Sequence, residues 1–195
     1  MAQDIVILGP PGAGKGTQGA LISAEAGIPH INTGDMFRAE CAAGSELGAR
    51  VKAFLDAGDL VPDQVTIEVV RARLAQDDTT QGFVLDGFPR TIAQAEALER
   101  LLDEIDRGEV SVVLNFQVPD EVALQRLLGR SSEQGRSDDD TPEKIQHRLD
   151  VYHEKTEPLV EYYRLNGILV GIHADRSVDE VFREVQQVLE TTAAR

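Results

Sequence analysis

A glycine-rich segment near the amino end of the chain carries the residue types needed to bind phosphate groups. It reads Gly-Pro-Pro-Gly-Ala-Gly-Lys-Gly-Thr from Gly9 to Thr17 and follows the apolar run Ile5–Leu8. Glycines let backbone N–H groups converge on an anion because no Cβ stands in the way. A helix that begins after the loop adds its positive dipole end, and Lys15 can reach the outer phosphates of a nucleoside triphosphate. The segment therefore predicts a strand, a phosphate-binding loop and a helix.

The loop departs from the general phosphate-loop pattern at one position. Gly9, Gly14 and Lys15 fit the pattern, but position 16 is glycine and the hydroxyl comes one residue later, at Thr17. In a generic ATPase or GTPase loop that hydroxyl binds magnesium directly, so the departure argues against those classes. A glycine-rich turn without function is disfavoured, because strand, lysine and helix arrive in the order that the motif requires.

A second motif, Asp86-Gly87-Phe88-Pro89-Arg90, follows the apolar run Phe83–Leu85. Ligands of open parallel sheets bind beyond the carboxyl ends of the strands, so we expect Asp86 on the same side as Lys15. A carboxylate there can hold magnesium-bound water near a triphosphate, and Arg90 can contact a phosphate. A simple Asp-Gly turn is the alternative explanation for the pentapeptide taken alone.

Four arginines in the second half of the chain are further candidates for phosphate contacts. Arg126 and Arg130 are four residues apart on a predicted helix and share a face, Arg136 lies in a polar segment, and Arg148 lies on the next predicted helix. Phosphoryl transfer depends on positioning and on neutralising the charge of the moving group, which arginines supply. Surface solvation is the alternative for each arginine taken singly.

The elements that must position these residues alternate along the chain. Strands are predicted from five apolar runs, at Ile5–Leu8, Ile28–Ile31, Phe83–Leu85, Val110–Phe116 and Ile168–Ile172. Helices are predicted from Pro119 to Gly129, after the N-cap Thr141, and after a capping box formed by Ser177 and Glu180. Near-continuous apolarity indicates strands buried on both faces, and the alternation predicts an α/β fold with a parallel sheet covered by helices on both sides.

Length, charge and cysteine usage restrict the class of protein. The chain has 195 residues, a formal net charge of −15, four lysines and one cysteine, Cys41. This length suits one well-buried domain with small insertions. The acidic charge disfavours a nucleic-acid partner, and no apolar run is long enough to cross a membrane. Residues 1–4 lack the basic region and the small-residue cleavage site that are typical of a signal peptide. We therefore expect a cytoplasmic protein without a disulfide.

Taken together, the motifs resemble those of the adenylate kinase family over essentially the whole chain. The resemblance is carried by four segments, 9–17, Asn-Thr-Gly-Asp-Met-Phe-Arg at 32–38, Asp-Gly-Phe-Pro-Arg-Thr-Ile-Ala-Gln at 86–94 and Gly-Arg-Ser-Asp-Asp at 135–139. It implies a P-loop kinase fold with a five-stranded parallel sheet. The core would comprise 1–31, 62–128 and 140–195, with a helical monophosphate-binding flap at 32–61 and a short lid at 129–139.

The resemblance also implies roles for individual residues. ATP would be bound by Gly12, Ala13, Gly14, Lys15, Gly16, Thr17, Arg126, Arg130 and Arg176. AMP would be bound by Thr33, Arg38, Asp59, Leu60, Val61, Gly87, Phe88, Pro89, Arg90, Gln94, Arg136 and Arg148, with Gln94 reading the adenine edge through its amide. The catalytic set would be Lys15, Arg90, Arg130, Arg136 and Arg148, and Asp86 would hold Mg²⁺ through water.

The implied reaction is reversible phosphoryl transfer from ATP to AMP, giving two ADP. The implied cofactor is Mg²⁺ with ATP; zinc is not expected because the lid segment has no cysteine. A monomer with no membrane or nucleic-acid partner is expected.

The sequence is less consistent with three other functions. The nearest is a UMP/CMP kinase of the same fold, but Thr33, Thr91 and Gln94 favour AMP. A regulatory GTPase needs an Asn-Lys-x-Asp motif, and none of the four lysines follows an asparagine. A phosphate-binding module without catalysis would leave the arginines without a joint role.

Overall fold

The computed structural model describes residues 3–134 and 141–193, with the backbone alone for 130–134 and 193. The described residues form a five-stranded sheet whose strands are all parallel, in the order β2-β3-β1-β4-β5. The strands are β1 (Gln3–Leu8), β2 (His30–Asn32), β3 (Gly82–Asp86), β4 (Val112–Gln117) and β5 (Leu169–His173). All five predicted strands are confirmed, and β2 begins two residues later than its apolar run.

Helices connect the strands in the alternating order predicted from the sequence. They are α1 (Lys15–Ala26), α2 (Thr33–Ala43), α3 (Glu46–Ala57), α4 (Asp63–Leu74), α5 (Ile92–Glu104), α6 (Asp120–Gln134), α7 (Pro142–Val151), α8 (Pro158–Leu165) and α9 (Val178–Ala193). A π-helical segment, Tyr152–Thr156, joins α7 to α8, and a short 3₁₀ turn spans Asp77–Thr79. The capping box before α9 is present, since Glu180 accepts from the backbone N–H of Ser177.

One predicted helix needs correction at both of its ends. The helix predicted from Pro119 to Gly129 begins at Asp120 and continues to Gln134. The first part of the predicted lid is therefore helical, and its remainder, 135–139, lies outside the described residues. Thr141 is the N-cap of α7 as predicted, and its hydroxyl accepts a hydrogen bond from the N–H of Lys144 at 3.3 Å.

Both faces of the sheet are buried, which explains why the strand sequences are apolar without alternation. Alternate β1 residues point to opposite faces: Ile5 and Ile7 pack with α1 and α9, and Val6 and Leu8 pack with α4, α5 and α8. Two smaller clusters stabilise the surrounding elements. One joins α6 to α7, and the other holds α2 and α3 together through Phe37, Val51 and Val61.

The register of the sheet brings three chemically important strand ends together. Asp86 at the end of β3 lies opposite Ile7 of β1 and Asn32 of β2. The glycine-rich loop leaves β1 at the same edge, so loop and carboxylate are neighbours, as the sequence predicted. No helix within 3–134 and 141–193 is long and apolar enough to cross a lipid bilayer.

Candidate active site

The glycine-rich loop is shaped by glycines that no other residue could replace without strain. Gly12 and Gly14 have φ of 86° and 83°, in the left-handed region. A Cβ on Gly12 would lie 2.6 Å from the carbonyl oxygen of Ala123, so the loop packs directly on the backbone of α6. α1 begins immediately afterwards, at Lys15, and directs its amino-terminal N–H groups towards the loop. The strand, glycine-rich loop and helix predicted from the sequence are therefore present.

Lys15 is positioned across the mouth of this loop. Its Nζ donates to the carbonyl oxygens of Gly9 and Pro10, both at 2.8 Å. These contacts hold the ammonium group over the space that the glycines leave open. Gly16, the departure from the general pattern, faces the carboxylate: a Cβ there would lie 3.7 Å from Asp86 Oδ2.

A cleft of about 620 Å³ lies beside the loop and is lined by half of the predicted site residues. Its lining includes Gly12, Gly14, Lys15, Gly16, Thr17, Arg38, Asp59, Asp86, Arg90, Arg126 and Arg148. These residues come from the loop, the flap, the end of β3 and the two helices α6 and α7. Residues spread over most of the chain therefore converge on one space next to the phosphate loop.

Asp86 is the buried carboxylate of the cleft. Its Oδ2 accepts a hydrogen bond from Asn32 Nδ2 at 2.6 Å and lies 3.4 Å from His30 Nε2. Burial alone raises the pKa of Asp86, but the His30 imidazole and the charges of Lys15 and Arg90 lower it more, so the net pKa lies below the usual value. Asp86 is therefore held as an anion. Within residues 3–134 and 141–193, no group of three or more His, Cys, Asp or Glu side chains could hold a metal ion.

Arginines approach the cleft from two directions. Arg90 and Arg148 line both the main cleft and a smaller adjoining cavity that also contains Lys15. Arg90 Nε donates to the carbonyl oxygen of Gly87 at 2.9 Å. Arg148 packs against the end of the flap, because a Cβ on Gly58 would lie 2.7 Å from its Cγ. Three cationic side chains thus surround the space between loop and flap.

Arg126 and Arg176 meet on the far side of the loop. Arg126 Nη1 donates to the carbonyl oxygen of Ala174 at 2.8 Å, and Arg126 Nη2 lies 3.5 Å from the carbonyl oxygen of Arg176. The guanidinium of Arg176 pairs with Glu184. Its side chain thus points towards α9, although its backbone lies beside Arg126. The side chain of Arg130 and the whole of Arg136 lie outside the described residues, and their roles stay predictions.

A third cavity, the flap cavity, is lined by most of the residues predicted to bind the monophosphate. It is lined by Thr33, Leu60, Val61, Gly87, Arg90 and Gln94, among others. Thr33 Oγ1 donates to the carbonyl oxygen of Gly87 at 2.9 Å, which closes one wall. Arg38 lines the main cleft instead and pairs with Asp35 at 2.5 Å. Phe88 is fully buried in the core, so only its backbone can contact a ligand.

Sequence reasoning missed several residues that hold the site together. Asn32 and His30 could have been found from their place at the carboxyl end of a predicted strand. Asp63 accepts hydrogen bonds from Gln94 and Thr91, and Thr156 donates to the carbonyl oxygen of Arg90 at 3.0 Å. No local signal marks Thr156, because its contact depends on the π-helical segment that carries it.

Comparison with known proteins agrees with this geometry. The sequence model of the family Adenylate kinase matches residues 7–168. The chain is 52% identical to an adenylate kinase of Mycobacteroides abscessus and 43% identical to one of Methanosarcina mazei, each over 95% of this chain and 98% of the relative. It is 48% identical to an adenylate kinase of Synechococcus, over 95% of both chains. These names do not favour the UMP/CMP alternative. Fold, cleft and relatives agree, and the chain belongs to the adenylate kinase family of nucleoside monophosphate kinases.

Proposed function

We propose that the protein catalyses reversible transfer of the ATP γ-phosphoryl group to AMP, giving two molecules of ADP, in the presence of Mg²⁺. One observation carries the proposal: Lys15, Arg90 and Arg148 surround one space between the phosphate loop and the flap cavity. Cations placed between a donor and an acceptor phosphate are what phosphoryl transfer requires. The printed names of the relatives support the same activity.

The main cleft beside the phosphate loop and the flap cavity support different assignments for the two nucleotides. The loop from Gly12 to Thr17 holds the phosphates of ATP, and Arg126 lies near its base with the backbone of Arg176. AMP occupies the flap cavity, with Gln94 at its base and Arg90 at its phosphate. Arg38 and the backbone at 59–61 complete the acceptor side, together with the Gly87–Pro89 backbone. Transfer between the two phosphates is direct and in line, without a covalent phosphoenzyme.

Asp86 is the residue that fits Mg²⁺. Magnesium binds through one or two carboxylates, several waters and the phosphates of the substrate, so a single carboxylate beside the loop suits it. Asp86 is ionised, lines the cleft and lies next to Gly16, where no side chain blocks its approach to the phosphates. Bound Mg²⁺ would neutralise phosphate charge, while Asp86 holds its waters.

We further propose that the flap at 32–61 and the lid at 129–139 close over the substrates. Closure would exclude water, which otherwise competes with AMP for the phosphoryl group. Arg130 and Arg136 would then join Arg148 around that group. Small-angle scattering with and without a bisubstrate analogue tests closure: we expect compaction, and an unchanged radius of gyration would contradict it. A monomeric state and a cytoplasmic location remain predictions.

The reaction is tested by measuring ADP formation with AMP, UMP, CMP and GMP as acceptors. AMP should have the highest kcat/KM, and faster turnover of UMP would contradict the proposal. Arg136→Ala should lower kcat by about 100-fold, because it removes a charge that acts on the transferring group. Arg164→Ala, which removes an exposed arginine of α8, is the matched control. Equal activity of both variants would favour a binding module without this catalytic role.

A further inference from the structure

The side-chain amide of Gln94 is buried between two partners of opposite hydrogen-bonding character. Gln94 is 2% exposed. Its Oε1 accepts from the backbone N–H of Arg90 at 2.8 Å, and its Nε2 donates to Asp63 Oδ1 at 2.7 Å. A backbone N–H can only donate and an ionised carboxylate can only accept. The amide therefore has one favourable orientation, since a flipped amide would face both partners with the wrong group.

Asp63 is itself held in place by the start of α5. Its Oδ2 accepts from Thr91 Oγ1 at 3.0 Å, and the same hydroxyl accepts from the N–H of Gln94 at 3.2 Å. Both carboxylate oxygens are thus engaged, and α4 is joined to α5 by a closed set of hydrogen bonds. This arrangement fixes the position of Asp63 independently of any ligand.

The orientation of the amide decides which base edge Gln94 can recognise. After its two bonds inside the protein, the amide retains one N–H and one oxygen lone pair, and Gln94 lines the flap cavity. A 6-aminopurine offers an acceptor at N1 and a donor at its amino group, which complements that N–H and that oxygen. A 6-oxopurine offers a donor at N1 and an acceptor at O6. The amide N–H of Gln94 would then face the N1–H donor, and the amide oxygen would face the O6 acceptor.

We propose that Asp63 is a positioning residue that determines specificity: by fixing the Gln94 amide, it makes the acceptor site select a 6-aminopurine over a 6-oxopurine. The inference deepens the proposed function, because it rests on Gln94 reading the base of AMP. Asp63 acts through Gln94 and does not touch the base. A 6-oxopurine is disfavoured because its donor would face a donor of Gln94 and its acceptor would face an acceptor, so neither pair could form a hydrogen bond.

AMP and IMP are the matched substrates for testing the inference, because they differ only in this edge. The measured quantity is the ratio of kcat/KM for AMP to kcat/KM for IMP, with KM for ATP recorded alongside. Asp63→Ala removes the acceptor that orients the amide, so the ratio should fall by about tenfold while KM for ATP is unchanged. Asp63→Asn keeps an acceptor oxygen for Nε2 and should retain most of the discrimination.

A control separates this effect from the loss of a first-turn acid at a helix start. Asp179→Ala removes such an acid from α9 and should leave the ratio as in the wild type. If the Asp63→Ala variant has the same AMP-to-IMP ratio as the wild type, the inference is overturned, but the proposed AMP kinase activity is not contradicted. A wild-type protein that uses AMP no better than IMP would contradict both the inference and the assigned role of Gln94.

Discussion

Two aspartates lie at opposite ends of paired strands and are similarly buried, yet their pKa values shift in opposite directions. Asp4 is at the amino end of β1 and Asp86 at the carboxyl end of β3, with exposures of 2% and 3%. Burial raises the pKa of Asp4 more than the hydrogen bond and charge of Arg107 lower it. The pKa of Asp86 is lowered. Burial alone therefore does not decide the direction in which the pKa of a buried carboxylate shifts in this protein.

The difference follows from the partners at each end of the sheet. Asp4 has one cationic partner, Arg107, whose guanidinium also stacks 5.1 Å from the ring centroid of Phe83 and donates to the carbonyl oxygen of Thr79. Asp86 is surrounded by His30, Asn32, Lys15 and Arg90 and borders the cleft. The amino end of the sheet is closed by a structural ion pair, whereas the carboxyl end leaves its anion beside a space for ligands.

Asp86→Asn should have the largest effect on activity. The variant removes the charge that would hold Mg²⁺ and that balances Lys15 and Arg90, so we expect kcat to fall by about 100-fold or more. Steady-state assays at saturating ATP and AMP measure this. Asp4→Asn is the matched control, because it changes the same residue type at equal burial. A similar loss of kcat in both variants would contradict the separation of the two ends.

Asp4→Ala should have the largest effect on stability. It leaves the Arg107 guanidinium buried without its carboxylate, which lowers the free energy of unfolding by about 3 kcal/mol. Urea denaturation measures the change, and kcat should stay near that of the wild type. Replacing both partners, Asp4→Leu with Arg107→Met, should recover most of the loss, because neither charge then remains unpaired. An equally unstable double variant would show that packing, and not charge, is responsible.

Asn32→Ala should lower both the stability and kcat, each by less than the two preceding variants. The Asn32 side chain donates to Asp86 and accepts from the N–H of Asp35 at 2.9 Å, which makes it the N-cap of α2. We expect about 1 kcal/mol of lost stability and a severalfold decrease in kcat. Ser45→Ala removes the N-cap of α3 in the same flap, without a contact to Asp86. Ser45→Ala should lower the stability and leave kcat unchanged. If kcat also falls as it does in Asn32→Ala, the kcat effect of Asn32 comes from destabilising the flap and not from its contact with Asp86.

The smallest effect concerns the pH dependence of stability. Because the pKa of Asp4 is raised above 3.8, the folded protein binds a proton in a window where the unfolded chain has lost it. Stability from this group therefore falls as pH rises through the window. The stability advantage of the wild type over Asp4→Asn should shrink as pH rises above 3.8. A growing difference would mean that Arg107 outweighs burial.

Much of the site could be predicted because its signals are local. The loop at 9–17, the end of β3 at 86–90 and the strand runs each contain their own evidence, and the structure brings the loop, Asp86, Arg90 and Arg148 to one cleft. The ends of helices were harder to predict from the sequence. The sequence predicted an end at Gly129, but α6 continues to Gln134. A single glycine lowers helix stability by only about 1 kcal/mol, so it need not end a helix.

The sequence by itself determined the class of fold, the phosphate loop and the family, because strand periodicity, glycine spacing and motif order depend on neighbouring residues. Only the tertiary structure decided the directions of the pKa shifts of Asp4 and Asp86 and the orientation of the Gln94 amide. Asp4 and Arg107 are far apart along the chain, as are Asp63 and Gln94. Burial and hydrogen-bond partners of this kind exist only after the chain has folded, so no local pattern could indicate them.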